Sequence, residues 1–353
     1  MRRASIYALL AAATFGLSVP LSKVLLDTVE PLVLAGLLYL GAGIALFGVG
    51  LARQTWLRDG FGNPAPLRRA DLPWLGGALL LGGVLAPVLL LVGLQRTGAG
   101  AASLLLSLEG VFTIIMAGFV FREVVRKQVW LGALFVAGAA SLLAAHGASG
   151  WSVRLGAFAI AGATLCWAVD NNLTGKVSQK DPVAIVRLKG LVAGSVNVAL
   201  ALALGKAWPS WGVVAGALGL GAVSYGLSLV FFVLALRGIG AARTSGLFGT
   251  APLLGAALSA ALFAESRAWV LLPAGALIGA GMWLLLPRHD EQWHAHKAMT
   301  HEHPHVHDEH HQHAHPPGAG PEPHTHVHTH TPMAHGHARI ADAHHHQPGP
   351  CLE

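Results

Sequence analysis

Histidine is all but missing from the first 288 residues, where His146 is the only one. That scarcity excludes a multi-histidine metal centre from most of the chain. Charge is scarce as well: 11% of the 353 residues are Asp, Glu, Lys or Arg, against roughly 25% in an average soluble domain. Cysteine is limited to Cys166 and Cys351, so no disulfide framework is expected. Cys166, inside an apolar run, reads as a small core residue. Asp170 stands alone where an intramembrane aspartyl protease needs two aspartates, and no nucleophile–base pair is evident for serine chemistry. These absences leave no enzymatic centre and no required cofactor.

What is present is apolar sequence in long runs, with 54% of residues hydrophobic. A membrane helix needs about 20 mostly apolar residues. Ten runs qualify: 5–26, 31–52, 72–94, 99–121, 128–146, 155–174, 183–204, 211–236, 240–263 and 268–287. The expected fold is an all-α integral membrane protein solvated by a lipid bilayer. The opening "MRRASIYALLAAATFGLSVPLSKVLL" has the basic start and apolar centre of a signal peptide. Its apolar stretch continues past any plausible cleavage site, so it reads as an uncleaved first helix.

Residues 1–287 carry 20 Lys and Arg against 9 Asp and Glu, whereas 288–353 carry 3 and 8. With the N-terminus inside, 15 of the 20 basic residues fall on the cytoplasmic side, the bias that fixes membrane topology. Ten crossings return the chain to the side it left, so both termini are expected in the cytoplasm of a bacterium, at its inner membrane. Because the basic residues sit in short loops, topology explains them and nucleic acid is not an expected partner.

The chain also resembles itself. "GLQRTGAGAASLLLSLEGVFTIIMAGFVFRE" aligns with "ALRGIGAARTSGLFGTAPLLGAALSAALFAE" at a constant offset of 142, with seven identities in the thirty pairs from Leu94/Leu236 to Glu123/Glu265. An earlier echo at offset 151 aligns Pro31 with Pro182 and Gly43 with Gly194. Each copy holds five spans, and an odd number makes the second copy enter from the opposite face. The expected organisation is therefore a first five-helix repeat over 1–146, an inverted second one over 155–287, and a tail over 288–353. Inverted repeats are the architecture of alternating-access transporters, with a site near the midplane.

On these paired halves, on the "FG…K" and "CWAVDNNLTGKVSQKDP" openings, and on the glutamates Glu123 and Glu265 closing the fourth and ninth spans, the sequence resembles the ten-helix EamA-type members of the drug/metabolite transporter superfamily. The resemblance covers about 5–287. It implies a secondary transporter with cytoplasmic termini, moving small metabolites, drugs or, in some branches, metal ions. Where many members have a proline in the fourth helix, this chain has Glu109-Gly110, while the second copy keeps Ala251-Pro252.

A charge within the bilayer costs several kcal/mol on insertion scales (about 2.5–3.5 at a helix centre), so each ionisable residue there needs a partner, water or a pathway. Glu109 is the deepest, suited to bind a cation or to exchange a proton for substrate; the plainer alternative is a glutamic acid bonded to a neighbouring hydroxyl. Asp170, Asn171 and Asn172 are consecutive, and 100° steps stop all three sharing one face. Lys189 lies at a similar depth to Asp170, so an ion pair is open to them, as structure or as gate. Asn197 reaches either a cavity or a neighbouring backbone group. Lys23 is explained by snorkelling. Gly190/Gly194, Gly212/Gly216 and Gly275/Gly279 have the spacing of close helix packing, and Pro20, Pro87 and Pro252 mark interruptions.

The remaining 20 histidines all lie in 288–353. "HEHPHVHDEHHQHAH" supplies His301, His303, His305, His307, His310, His311, His313 and His315; "HTHVHTH" supplies His324, His326, His328 and His330. In extended chain, alternate residues share a face about 6.5–7 Å apart, and neutral imidazole suits Zn²⁺, Ni²⁺, Co²⁺ and Cu²⁺. Five prolines between 304 and 323 and the lack of apolar residues predict disorder. Two substrate readings follow for a secondary transporter. The first is export of divalent Ni, Co or Zn with the tail collecting the ion; the alternative is export of small organic metabolites or drugs with the tail as an accessory. A membrane metal sensor without flux is a third reading that the duplicated core disfavours. A proton is the natural coupling ion, and the sequence leaves a homodimer open.

Overall fold

The structure is a computed structural model that describes residues 2–55, 67–119, 127–146, 151–177, 180–263, 268–285, 291–296, 299–305, 324–330 and 333–338. The chain divides into two units, Met1–Pro287 and Arg288–Glu353.

The first unit is helical throughout its described elements. In chain order these are α1 (Arg2–Gly16), α2 (Ser18–Leu25), α3 (Pro31–Thr55), α4 (Leu72–Ala78), α5 (Ala86–Arg96), α6 (Ala99–Leu105), α7 (Leu108–Phe119), α8 (Lys127–His146), α9 (Trp151–Gly175), α10 (Pro182–Ala203), α11 (Trp211–Gly221), α12 (Ser228–Phe248), α13 (Ala251–Leu262) and α14 (Leu271–Leu285). Six stretches are long and apolar enough to cross a membrane: Arg3–Leu25, Pro31–Gly50, Arg69–Arg96, Trp151–Gly175, Pro182–Ala203 and Trp211–Leu236. Four shorter apolar helices, Ala99–Thr113, Lys127–Leu143, Ala251–Leu262 and Leu271–Leu284, fall where the sequence puts the fourth, fifth, ninth and tenth spans. In hydrocarbon each backbone N–H and C=O must be satisfied within the protein, which is why such runs fold as helices.

Local chemistry sets several helix starts. Pro31 opens α3 and Pro182 opens α10, where a missing N–H costs nothing. Asp181 caps α10 by accepting from the Val183 amide at 2.9 Å. Phe232 and Phe248 lie sixteen residues apart within α12, about 24 Å along a straight helix. Their ring centroids are 4.9 Å apart, so α12 is not a straight rod but bends between the expected eighth and ninth spans.

Two π-helical segments, Leu79–Leu85 and Ala222–Leu227, interrupt the third and eighth expected spans some 143 residues apart, close to the internal repeat. Periodicity does not reveal them, because a π-turn adds one residue without changing composition.

Backbone-to-backbone contact locks α3 against α10. A Cβ added at Gly190 would stand 2.5 Å from the Gly43 nitrogen, and one at Gly194 would stand 2.6 Å from the Leu40 nitrogen. Gly41 and Gly221 do the same between α3 and the α11 region, abutting the Leu218 and Leu38 carbonyls. Of the three glycine pairs singled out above, only Gly190/Gly194 makes such a contact; Gly212 and Gly279 have open space. Val33, Leu34, Leu38, Leu90, Leu91 and Leu94 fill the core. Trp151 and Trp211 begin α9 and α11 and are largely exposed, as residues of an interfacial aromatic belt are. Lys23 does more than snorkel: its Nζ donates to the carbonyls of Leu94 at 2.6 Å and Thr97 at 3.0 Å, capping the end of α5.

In the second unit, strands β1 (Glu291–His296) and β4 (Met333–Ala338) pair antiparallel, as do β2 (Met299–His305) and β3 (His324–His330). In these four strands the chain departs from the disorder expected of the tail. The His-X-His alternation that suits metal binding is also the period-two pattern of a strand.

Candidate functional site

The site begins at two helix breaks. The fourth expected span is divided at Leu106-Ser107, between α6 and α7, and the ninth at Gly249-Thr250, between α12 and α13. The offset of 142 superposes Leu106 on Phe248, Ser107 on Gly249, and Glu109-Gly110 on Ala251-Pro252. On that alignment the two breaks fall within one residue of each other. Pro252 cannot continue a preceding helix and suits the first turn of the next. Glu109 occupies the first turn of α7, where unpaired N–H groups and the helix dipole favour a carboxylate.

A narrow cavity lies at these breaks, lined by Phe15, Leu106, Ser107, Glu109, Gly110, Thr113, Phe248, Gly249, Pro252 and Met282. Its walls are apolar and aromatic apart from Glu109 and two hydroxyls. Ser107 Oγ is buried at this cavity and makes no hydrogen bond within the protein. Phe15 is the aromatic hub. Its ring stands 5.3 Å from Phe248, 5.8 Å from Tyr225 and 5.9 Å from Trp167, distances at which rings attract beyond their area burial.

Helix α9 ties the carboxylates together. Asn171 Nδ2 donates to Glu109 Oε1 at 2.5 Å, so the glutamate's partner is an amide and not the hydroxyl envisaged from sequence. Its neighbour Asp170 accepts from Lys189 Nζ at 2.6 and 2.7 Å and from Thr174 Oγ1 at 2.9 Å. Asp170 and Lys189 are each 4% exposed, so neither charge has water as a substitute partner. Asn172 turns back to the Ala168 carbonyl at 2.8 Å. The three consecutive polar residues thus diverge as helical geometry demands.

The π-helical segment forms the opposite wall of the ion pair. An added Cβ at Gly82 would overlap the Asp170 carboxylate, so only glycine fits. The Gly82 carbonyl accepts from Tyr39 OH at 2.6 Å and from Trp167 Nε1 at 3.0 Å. Asn197 Nδ2 lies 3.4 Å from the Gly83 carbonyl, and its Oδ1 has no partner within the protein.

Of the residues selected from sequence, Glu109 pairs with Asn171 and Asp170 with Lys189, the two pairs meeting at adjacent positions of α9, while Asn172 and Asn197 bind backbone. Glu123 and Glu265 lie outside the described residues. His301, His303, His305, His324, His326, His328 and His330 fall in β2 and β3; His307, His310, His311, His313 and His315 lie outside the described residues. Among the described side chains of Met1–Pro287, no group of three or more His, Cys, Asp or Glu could hold a metal ion. Sequence reasoning missed Phe15, Tyr39, Trp167 and Phe248. A signal was available, since Phe15 and Trp167 sit in the two repeat openings and a tyrosine within an apolar span needs a partner for its hydroxyl.

Comparison with known proteins points the same way. Residues 2–145 match the EamA-like transporter family. A protein of Methanothermobacter thermautotrophicus described as an uncharacterized transporter is 31% identical over 301 residues, covering 81% of this chain and 87% of its own. The chain belongs to the EamA-like transporter family. Membership places it in the drug/metabolite transporter superfamily, as an integral membrane protein. A second relative, an uncharacterized transporter of Synechocystis, is 28% identical over 221 residues, covering 56% of this chain and 66% of its own. A Pseudomonas fluorescens protein, a probable 4-amino-4-deoxy-L-arabinose-phosphoundecaprenol flippase subunit ArnE, is 37% identical over 111 residues, or 31% of this chain and 96% of its own. One solved crystal structure superposes with a TM-score of 0.58 at 20% identity, covering 80% of this chain and 94% of that one; it speaks to the fold alone.

Proposed function

We propose that this EamA-like transporter is a secondary active exporter of small organic solutes bearing an amine. It works by alternating access across a bacterial inner membrane, with both termini in the cytoplasm. In this reading the six long stretches and four shorter apolar helices make ten crossings, arranged as two inverted five-helix halves. The observation that carries it is the cavity at the paired breaks, which sets one carboxylate among aromatic and aliphatic walls. An ammonium group pairs with Glu109, while the faces of Phe15 and Phe248 attract the cation and bury the solute's apolar body. A bare divalent ion needs several oxygen, nitrogen or sulfur ligands, and the cavity offers one carboxylate. The amine in the name of the flippase relative is consistent with such a substrate.

The cavity is too narrow for more than water in this conformation, so passage requires the half-helices to part. Asn171 holds the carboxylate while the site is empty. Glu109 then carries either a proton or the solute's ammonium, one displacing the other, and an inward proton gradient drives the solute out.

Flux of a panel of organic amines into proteoliposomes, with a proton gradient imposed, tests the reading. Saturable flux that requires the gradient and disappears in Glu109→Gln is expected. Undiminished amine flux in that variant would remove Glu109 from the pathway. Export of Ni²⁺, Co²⁺ or Zn²⁺ is a second reading, favoured by the 20 histidines of 288–353. It predicts Glu109-dependent metal flux in the same vesicles, and a sensor would give no flux of either kind.

A further inference from the structure

The register of the four described strands gathers their histidines on one face of each ladder. In the β2–β3 ladder the Cα partners are Met299 with His330, His301 with His328, His303 with His326, and His305 with His324. These alternate positions lie on one face of the ladder, because residues two apart share a face and directly opposed residues are same-face neighbours. The intervening pairs, Thr300 with Thr329, Glu302 with Val327, and Pro304 with Thr325, make the other face. One face therefore holds all seven histidines of the two strands and the other holds none. The β1–β4 ladder repeats the segregation: His294, His296, His335 and His337 share one face with Gln292 and Met333, opposite a face of Glu291, Trp293, Gly336 and the alanines.

We propose that the β2–β3 ladder is a built site for a borderline divalent transition metal such as Zn²⁺ or Ni²⁺, with the cross-strand rungs 301/328, 303/326 and 305/324 as its units. Directly opposed residues have Cβ atoms about 4.5–5.5 Å apart, and successive rungs follow at about 6.5–7 Å. Two adjacent rungs thus bring four imidazole-bearing residues to one patch, the number a tetrahedral ion takes. His-X-His runs without this register would give a loose chelator in which every histidine counts alike. The ladder makes position decisive. The inference stands apart from the transport reading, since it concerns binding at the tail whatever crosses the membrane.

The full-length protein in detergent, titrated with Zn²⁺ alone at neutral pH, provides the test. Replacing His301, His303 and His305 together by glutamine should weaken the tightest binding by tenfold or more. Replacing His310, His311 and His313, an equal number outside β2 and β3, should leave it within about twofold. Equal losses in the two variants, or none in either, would overturn the proposal. A second measurement probes the register directly in a chain with Cys166 and Cys351 replaced by serine. His303→Cys with His326→Cys should form a disulfide on mild oxidation, and His303→Cys with Thr325→Cys should not. Cross-linking of both pairs alike would also overturn it.

Discussion

Asn171 donates to Glu109 across 2.5 Å, and the residue before it, Asp170, accepts both bonds of the Lys189 ammonium. One turn of α9 thus links the carboxylate at the fourth-span break to the buried ion pair against the π-helical segment. The Glu109 carboxylate and the ion pair beside Gly82 are thus held by two adjacent side chains of α9.

The Asn171–Glu109 bond should act on transport only through its partner. Asn171→Ala is expected to raise KM for the amine several-fold in wild type and to have no further effect on substrate binding in Glu109→Gln, a coupling read by a double-mutant cycle. Equal effects in both backgrounds would assign Asn171 a purely structural part.

Breaking the Asp170–Lys189 pair should be far more harmful than removing it whole. Lys189→Met leaves an unpaired buried carboxylate and should cost about 3–5 kcal/mol, whereas Lys189→Met with Asp170→Leu should recover most of the loss. Thermal unfolding in detergent measures both. Full stability together with lost flux in the double variant would make the pair a gate as well as a strut.

Gly82→Ala should be severe, because the new methyl group occupies the place of the Asp170 carboxylate. Tyr39→Phe should be mild. It removes one of two donors to the Gly82 carbonyl, a loss of about 0.5–1.5 kcal/mol for an ordinary hydrogen bond. Comparing the two unfolding temperatures separates steric from polar roles of the π-helical wall.

Metal binding by the tail should weaken as pH falls. Imidazole titrates near ~6.5, and protons compete with the ion for the same nitrogens, so Zn²⁺ affinity is expected to hold above about pH 7 and to fall progressively below about 6.5. Isothermal titration of the full-length protein at several pH values checks this; affinity flat from pH 7.5 to 5.5 would place the ion on ligands other than histidine.

The sequence by itself determined the bilayer as solvent and the apolar helices, and it carries the self-similarity at an offset of 142. All of these follow from composition, length and spacing, which are properties of the chain read in order. It marked Gly190 and Gly194 as a packing face and allowed the Asp170–Lys189 pair by matching their depths. Only the tertiary structure decided which partner each polar group takes: the amide of Asn171 for Glu109, and the Gly82 carbonyl for both Tyr39 and Trp167. It also decided that helices α7 and α13 begin at equivalent breaks around one cavity, and that the tail histidines meet in register. The hydrogen-bond choices depend on contacts between residues 43 to 85 positions apart, and on a π-turn that leaves no periodic trace. Local pattern governs what a segment must bury, but the direction of a side chain's hydrogen bond is set by whichever helix packs beside it.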